Sequence, residues 1–399
     1  MDEIRSFTVK VRIMDNDNPF GEMPFFGDFE KLFNSGGQDP WATAKQIAIQ
    51  LVASENVDSN VDPSHRILLE ELSRIAQLHV SEATSLSTGN ISVQAVTRTE
   101  WAHKTIDAYK PLFESLTEAL TRKKEEDAFG GDPLHAMFGQ MMQFLGPMML
   151  SMTAGSMVGH LAQRSFGQFD LPIPRLSEDG IQIITNNIND FGKEWSLSID
   201  ELLLWVCLHQ FCFHTVFRIR HVQENVTNLL FDYVSGFENN PSGLEEKLQE
   251  IDMNSPSALE DLQRSLGSPE VILGAIQSQE QLNLLPELNA VIAVIVGYVD
   301  YIMDSIGVGL IGSYSQITEA MRRLRVEADP SDRFIERMLG LELTQAQYDR
   351  GSLFIHGVVE RSNANELIRL WNEPKNFPTP NEVDAPGLWL ARIDLPDVS

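Results

Sequence analysis

The stretch Glu201-Leu-Leu-Leu-Trp-Val-Cys-Leu-His-Gln-Phe-Cys-Phe-His-Thr-Val-Phe217 restricts what this 399-residue chain can fold into more than any other. It is apolar without a break from Leu202 to Leu208, and apolar residues resume after His209-Gln210. A helix that is hydrophobic all round is a central, buried one. Two polar side chains in its middle need partners, because burying an unpaired polar group costs roughly 1–3 kcal/mol. The chemical question is whether His209 and Gln210 belong to a metal site or are satisfied polar groups in a core.

Composition narrows the classes. With 43% hydrophobic residues the chain can bury a sizeable core, as one large or two modest domains. A net charge of −27 argues against nucleic acid as a partner, since binding phosphates depends on Lys and Arg. The same charge keeps a surface solvated, and it makes an unknown protein or peptide, preferably a basic one, the expected partner. Cys207 and Cys212, five apart on one helix, point about 140° apart and suit neither a mutual disulfide nor a Cys-x-x-Cys metal site. Reduced, buried thiols are expected. The first ten residues contain no apolar h-region, so no signal peptide is visible and a cytoplasmic location is expected.

Three regions are expected along the chain. Residues 1–38, rich in Gly, Asn, Asp, Pro and Phe, read as irregular. Residues 39–170 form an N-terminal helical region. Helices start at Asp39-Pro40-Trp41, at Pro63-Ser64 and at the capping box Thr97-x-x-Glu100, the last kinking at Pro111. Lys123–Asp127 reads as an exposed charged turn. The Met- and Gly-rich segment Leu134–Leu161 is expected to be a buried hairpin turning at Gly146-Pro147. Gln140, Gln143, Pro147 and His160 argue against a membrane span there, and Gly155-x-x-x-Gly159 lets helices approach closely. Asp170-Leu-Pro-Ile-Pro174 is an extended connector into the third region, 171–399.

That third region should carry the central helix, a continuation over Val222–Phe237 and a polar stretch with short helices over 238–278. A long apolar helix follows over Leu284–Ile306 with Pro286 in its first turn. Further helices are expected near Gln316–Glu327, Ser331–Leu339, Leu343–Ser362, Asn363–Trp371 and Glu382–Arg392. No period-two alternation persists, so the fold class is mainly α with little sheet.

Several blocks in fixed order resemble those of a bacterial family of zincin-like metallopeptidases. They are Gly297-Tyr-Val-Asp300, Asp332–Glu342, Tyr348-Asp-Arg-Gly351 and Trp371–Pro380, with Trp101, Phe169-Asp-Leu-Pro172 and Leu204-Trp-Val-Cys-Leu208 upstream. The resemblance implies a multi-helix zincin-like architecture. In metal-competent members the central helix carries His-Glu-x-x-His, two histidines on one face gripping Zn²⁺ and a Glu acting on the bound water. The matching positions here are His209, Gln210 and Phe213. The family's later Glu-x-x-x-Asp pattern, a ligand followed by an acceptor that orients a ligand His, matches Val296 and Asp300.

The resemblance therefore implies a degenerate site in which His209 alone keeps a ligand-type side chain. Gln210 has no basic site and cannot replace the Glu as general base. His214 lies about 140° round the helix from His209, and His221 is roughly 10 Å further along, so neither substitutes. His209 and Asp300 could persist as a hydrogen-bonded pair; a site recruiting His209, Cys212 and Asp300 is the conceivable alternative. The expected function is that of a non-catalytic family member acting as a binding or scaffold protein, with no cofactor. The alternative is an active zinc-dependent hydrolase rebuilt around His209.

Overall fold

Helices in this chain begin where a side chain can satisfy their first free N–H groups. The computed structural model describes residues 39–55, 58–121, 133–175, 180–237, 277–327 and 335–395. The expectations for 1–38, for 123–127 and for nearly all of 238–278 lie outside the described residues. Asp39 Oδ1 accepts from the Trp41 amide at 3.1 Å and opens α1 (Pro40–Glu55). Asp62 Oδ1 accepts from the Ser64 amide at 2.8 Å and opens α2 (Pro63–Thr84). Thr97 and Glu100 form the expected reciprocal box, at 3.0 and 3.1 Å, ahead of α3 (Arg98–Thr121), which runs through Pro111.

Two three-residue strands, β1 (Val93–Ala95) and β2 (Ile181–Ile183), pair in parallel with Val93 opposite Ile181. Apart from an isolated bridge between Gly167 and Ile183, everything else among the described residues is helix or connection, so the mainly α class holds.

The hairpin expected at Gly146-Pro147 does not form. Pro133–Arg164 is one helix of 32 residues, α4. A proline inside a helix costs a hydrogen bond and bends the axis, but it does not oblige the chain to reverse. A continuous α4 packs against both α1 and α3. Its small residues do what their spacing suggested. A Cβ on Gly155 would overlap the Ala44 backbone, and one on Gly159 would lie 3.1 Å from Ala48 Cα. Gly155-x-x-x-Gly159 thus meets Ala44-x-x-x-Ala48 as a seam of two helices in close contact.

After α5 (Thr185–Glu194) the central helix α6 runs from Ile199 to Phe217, buried along almost its whole length. It packs against α2, α5 and two later helices, α8 (Gln279–Leu310) and α9 (Tyr314–Val326). The next helix, α7 (Arg220–Ser235), is not a straight continuation: the chain bends by 89° at the break after Phe217.

Helix α8 spans Gln279–Leu310, five residues earlier than expected at its start. Its true beginning is a capping box in which Ser278 and Gln281 bond each other's amides at 2.9 and 3.3 Å, which leaves Pro286 inside the helix. Among the described residues α8 is the one unbroken helix long and apolar enough to cross a membrane, and 72% of its apolar window is buried by α6, α7 and their neighbours.

The C-terminal part wraps α8. Helix α9 (Tyr314–Val326) returns toward α6, and α10 (Gln345–Arg361) crosses α8. A 3-10 segment (Ala364–Trp371) follows, and the last expected helix is split into α11 (Pro380–Val383) and α12 (Pro386–Ile393). Pro386 starts α12, and it holds the preceding Ala385 outside helical geometry. The part of the expected 331–339 helix before residue 335 lies outside the described residues.

Three of the C-terminal resemblance blocks meet at α8. At the α8–α10 crossing a Cβ on Gly351 would overlap the Ala293 carbonyl oxygen, and one on Gly297 would overlap the Gly351 backbone. Trp371 packs edge-on to Tyr298 at 4.8 Å. One contiguous core joins both regions, from Trp41 and Trp101 through α6 and α8 to Trp371 and Trp389.

Candidate functional site

The fully buried Gln210 sits mid-way along α6 with both ends of its amide used. Its Oε1 accepts from the Phe169 amide at 2.9 Å, and its Nε2 donates to Asp170 Oδ1 at 3.0 Å. Asp170 also accepts from the amides of Phe166 at 2.5 Å and Gly167 at 3.2 Å. Gly167 leaves the space the amide fills, since a Cβ there would overlap the Gln210 side chain. The segment read as a connector is therefore a loop folded onto α6 and locked by Gln210. Burial pushes the Asp170 carboxyl up to about 6, against the pull of its three hydrogen bonds.

His209, one residue earlier, faces another way and is only partly buried. Its ring stacks on Trp205 at 5.1 Å and meets the edge of Phe213 at 5.0 Å, its neighbours one turn before and one turn after. Burial, helped by the charge of Arg325, pulls its pKa down to about 3, so it is neutral at pH 7. Its polar contact is long, 3.5 Å from Nδ1 to Gln210 Nε2. Phe213, where the resemblance implies a second ligand, stacks with Phe169 at 6.2 Å and Phe217 at 6.1 Å. That position is filled by an aromatic cluster.

Val296 is buried in the core. Asp300, one turn further along α8, keeps about a third of its side-chain surface accessible, 36%. The expected His209–Asp300 hydrogen bond is not formed. Asp300 instead faces Arg325 from the last turn of α9, with Oδ2 3.9 Å from Nη1. The Arg325 guanidinium lies over the Tyr348 ring at 4.2 Å from its centroid. Burial pushes the Asp300 carboxyl up to about 6; Arg325 opposes the rise and Asp304 adds to it. Asp304 in turn accepts from the Tyr314 hydroxyl at 2.8 Å.

The other candidates lie elsewhere or are chemically quiet. His214 Nε2 is 3.2 Å from the Thr88 carbonyl, and burial lowers its pKa to about 4. It ties α6 to the segment before β1. His221 belongs to α7, beyond the bend. Cys207 and Cys212 are free and buried, and burial pushes both thiols up, with the Asp300 charge a lesser cause at Cys212. A thiol so disfavoured as thiolate is a poor metal ligand.

Three donors are needed to hold Zn²⁺ tightly. Among the described residues no group of three His, Cys, Asp or Glu side chains is placed to hold a metal ion. His209 and Asp300 offer two donors on facing helices, with a guanidinium beside them and hydrocarbon at Phe213 and Val296. These residues do not fit a zinc ion.

Sequence reasoning missed Asp170 and Arg325. Asp170 is 40 residues from Gln210, and its one signal was that a buried Gln must have partners. Arg325 belongs to the Arg322-Arg323-Leu324-Arg325 run, which has the look of a solvated face. Arg322 and Arg323 do sit on such a face, both paired with Glu319.

A family profile described as zincin-like metallopeptidase matches residues 40–390. A solved structure from Chloroflexus aurantiacus, described as a candidate hydrolase with a novel fold, aligns with a TM-score of 0.58 and 21% identity, covering 89% of this chain and 99% of that one. At that identity the likeness is one of fold. Comparison with curated proteins gives no match.

Proposed function

The chain belongs to the zincin-like metallopeptidase family, and from that premise we propose that it is a non-catalytic member, acting as a binding or scaffold protein. The observation that carries this reading is the Gln210 amide. Where the family's Glu would activate water, Gln210 is buried and spends both ends on Phe169 and Asp170. An amide so held has neither the basicity nor the freedom to take a proton from water. The aromatic packing of Phe213 and the core position of Val296 support it further, since neither side chain can ligate.

A binding role is supported by what stays accessible: His209, Asp300 and Arg325 all keep some contact with solvent. The net charge of −27 favours a basic partner over nucleic acid. The second reading, a zinc-dependent hydrolase rebuilt around His209, rests on that same accessibility of His209 and Asp300.

A hydrolysis assay on unfolded protein and mixed peptides, with zinc added, separates the two. The wild type and His209→Ala are expected to give the same background rate, and chelator is expected to leave the thermal midpoint unchanged. A rate that needs zinc and disappears in His209→Ala would establish the rebuilt hydrolase instead.

A further inference from the structure

We propose that Arg325 is the resident cation of this site, its guanidinium supplying from within the chain the positive charge that Asp300 and the face of Tyr348 are placed to receive. The proposal deepens the non-catalytic reading and rests on it. Three helices bring the groups together. Asp300 stands on α8 one turn beyond Gly297, whose added Cβ would overlap the Gly351 backbone of α10. Tyr348 stands on α10 one turn before Gly351 in that same crossing. Arg325 enters from the end of α9.

The guanidinium is engaged on two sides, by the carboxylate at 3.9 Å and by the aromatic ring at 4.2 Å. Its Nε is shut from solvent and has no hydrogen-bond partner. A carboxylate at this distance on an open surface would hold an arginine weakly. Here the ring adds a cation–π attraction, which strengthens as water is removed. The planar guanidinium suits this stacked position better than a lysine ammonium would.

The position also explains why the surviving donors do not assemble a metal site. The charge of Arg325 acts on His209, and that of Asp300 acts on Cys212. A divalent ion placed among them would be repelled by the guanidinium, and Asp300 would have to leave Arg325 to bind it. The chain thus satisfies Asp300 with a fixed charge in place of a bound one.

A double-mutant cycle tests this. Arg325→Met, Asp300→Asn and the double variant are compared with the wild type by chemical denaturation at pH 7, each with and without added zinc. Each single change is expected to lower the folding equilibrium constant about tenfold, and the double variant to lose no more than either single, a coupling of about tenfold. Arg325→Lys, which keeps the charge but not the plane, should lose less than Arg325→Met. Zinc should leave the wild type unchanged. Additive losses, or equal losses in the Lys and Met variants, would each overturn the proposal. If the wild type itself holds an equivalent of zinc, the non-catalytic reading fails as well. If the wild type is zinc-free and the cycle is additive, the role of Arg325 alone fails.

Discussion

Replacing Gly351 with valine is expected to destabilise the fold by about 3 kcal/mol, at the upper end of what overpacking usually costs. The reason is that α8 and α10 meet backbone to backbone. A Cβ at this position would overlap the Ala293 carbonyl oxygen of the facing helix, and the third-nearest atom, Gly297 Cα, lies only 3.2 Å from it. No flexible side chain can move aside there, so the helices themselves must separate. Separation would loosen the neighbouring contacts that hold Tyr298 against Trp371 and Arg325 against Tyr348. Gly309→Ala on the same α8 is the control. Nothing lies within 4 Å of the added atom, and the change should be neutral or stabilise by up to about 1 kcal/mol. Denaturant titration of the two variants measures both effects; a Gly351→Val protein as stable as the wild type would show that the crossing is not this tight.

Gln210→Glu should be almost as damaging, and its cost should depend on pH. The family's Glu at this position would place a carboxylate where Gln210 Nε2 now donates to Asp170 Oδ1 at 3.0 Å. Two buried carboxylates that close cannot both ionise, so the folded pair keeps a proton that the unfolded chain releases. The wild-type Asp170 carboxyl is already pushed up to about 6 by burial. The sign follows from proton counting: where the folded state binds more protons, stability falls as pH rises. The loss should be small near pH 3, where both carboxyls are largely protonated in either state. It should grow through pH 6 and reach about 3 kcal/mol at pH 7, the scale of an uncompensated buried charge. Stability curves near pH 3 and pH 7 check this, and a pH-independent cost would mean that the Gln210–Asp170 contact is not the source. The variant should gain no hydrolytic activity, because position 210 faces the Phe166–Asp170 loop and not His209's accessible side.

Much of the fold was legible where its causes are local. The starts at Asp39-Pro40, Pro63-Ser64 and Thr97–Glu100 depend on neighbours within three residues, and the apolar run of α6 could only be a buried helix. The Ser278–Gln281 box was equally local but was overshadowed by Pro286, which suggested a helix start of its own. The Gly146-Pro147 hairpin failed because a proline marks a bend without specifying its size, and the close packing of α4 on Ala44 and Ala48 favours a single helix. The site was half legible. His209, Gln210, Phe213, Val296 and Asp300 could be singled out by their order along the chain, and two of them proved to be plain core or aromatic packing. What the order could not reveal was which partner each polar group takes. Asp170 reaches Gln210 across 40 residues and Arg325 reaches Asp300 from the end of another helix, and neither pairing leaves a periodic trace.

The zincin-like helices are kept, and in the reading proposed above the groups that would serve a metal are committed to other contacts. Gln210 locks a loop, Phe213 joins an aromatic cluster and Asp300 faces an arginine. Zinc content measured on protein made without an affinity tag, after dialysis against metal-free buffer, tests that claim most directly. Zinc far below one equivalent per chain is the expected result, with the fold unchanged on adding chelator. One full equivalent, retained through dialysis and lost in His209→Ala, would contradict it.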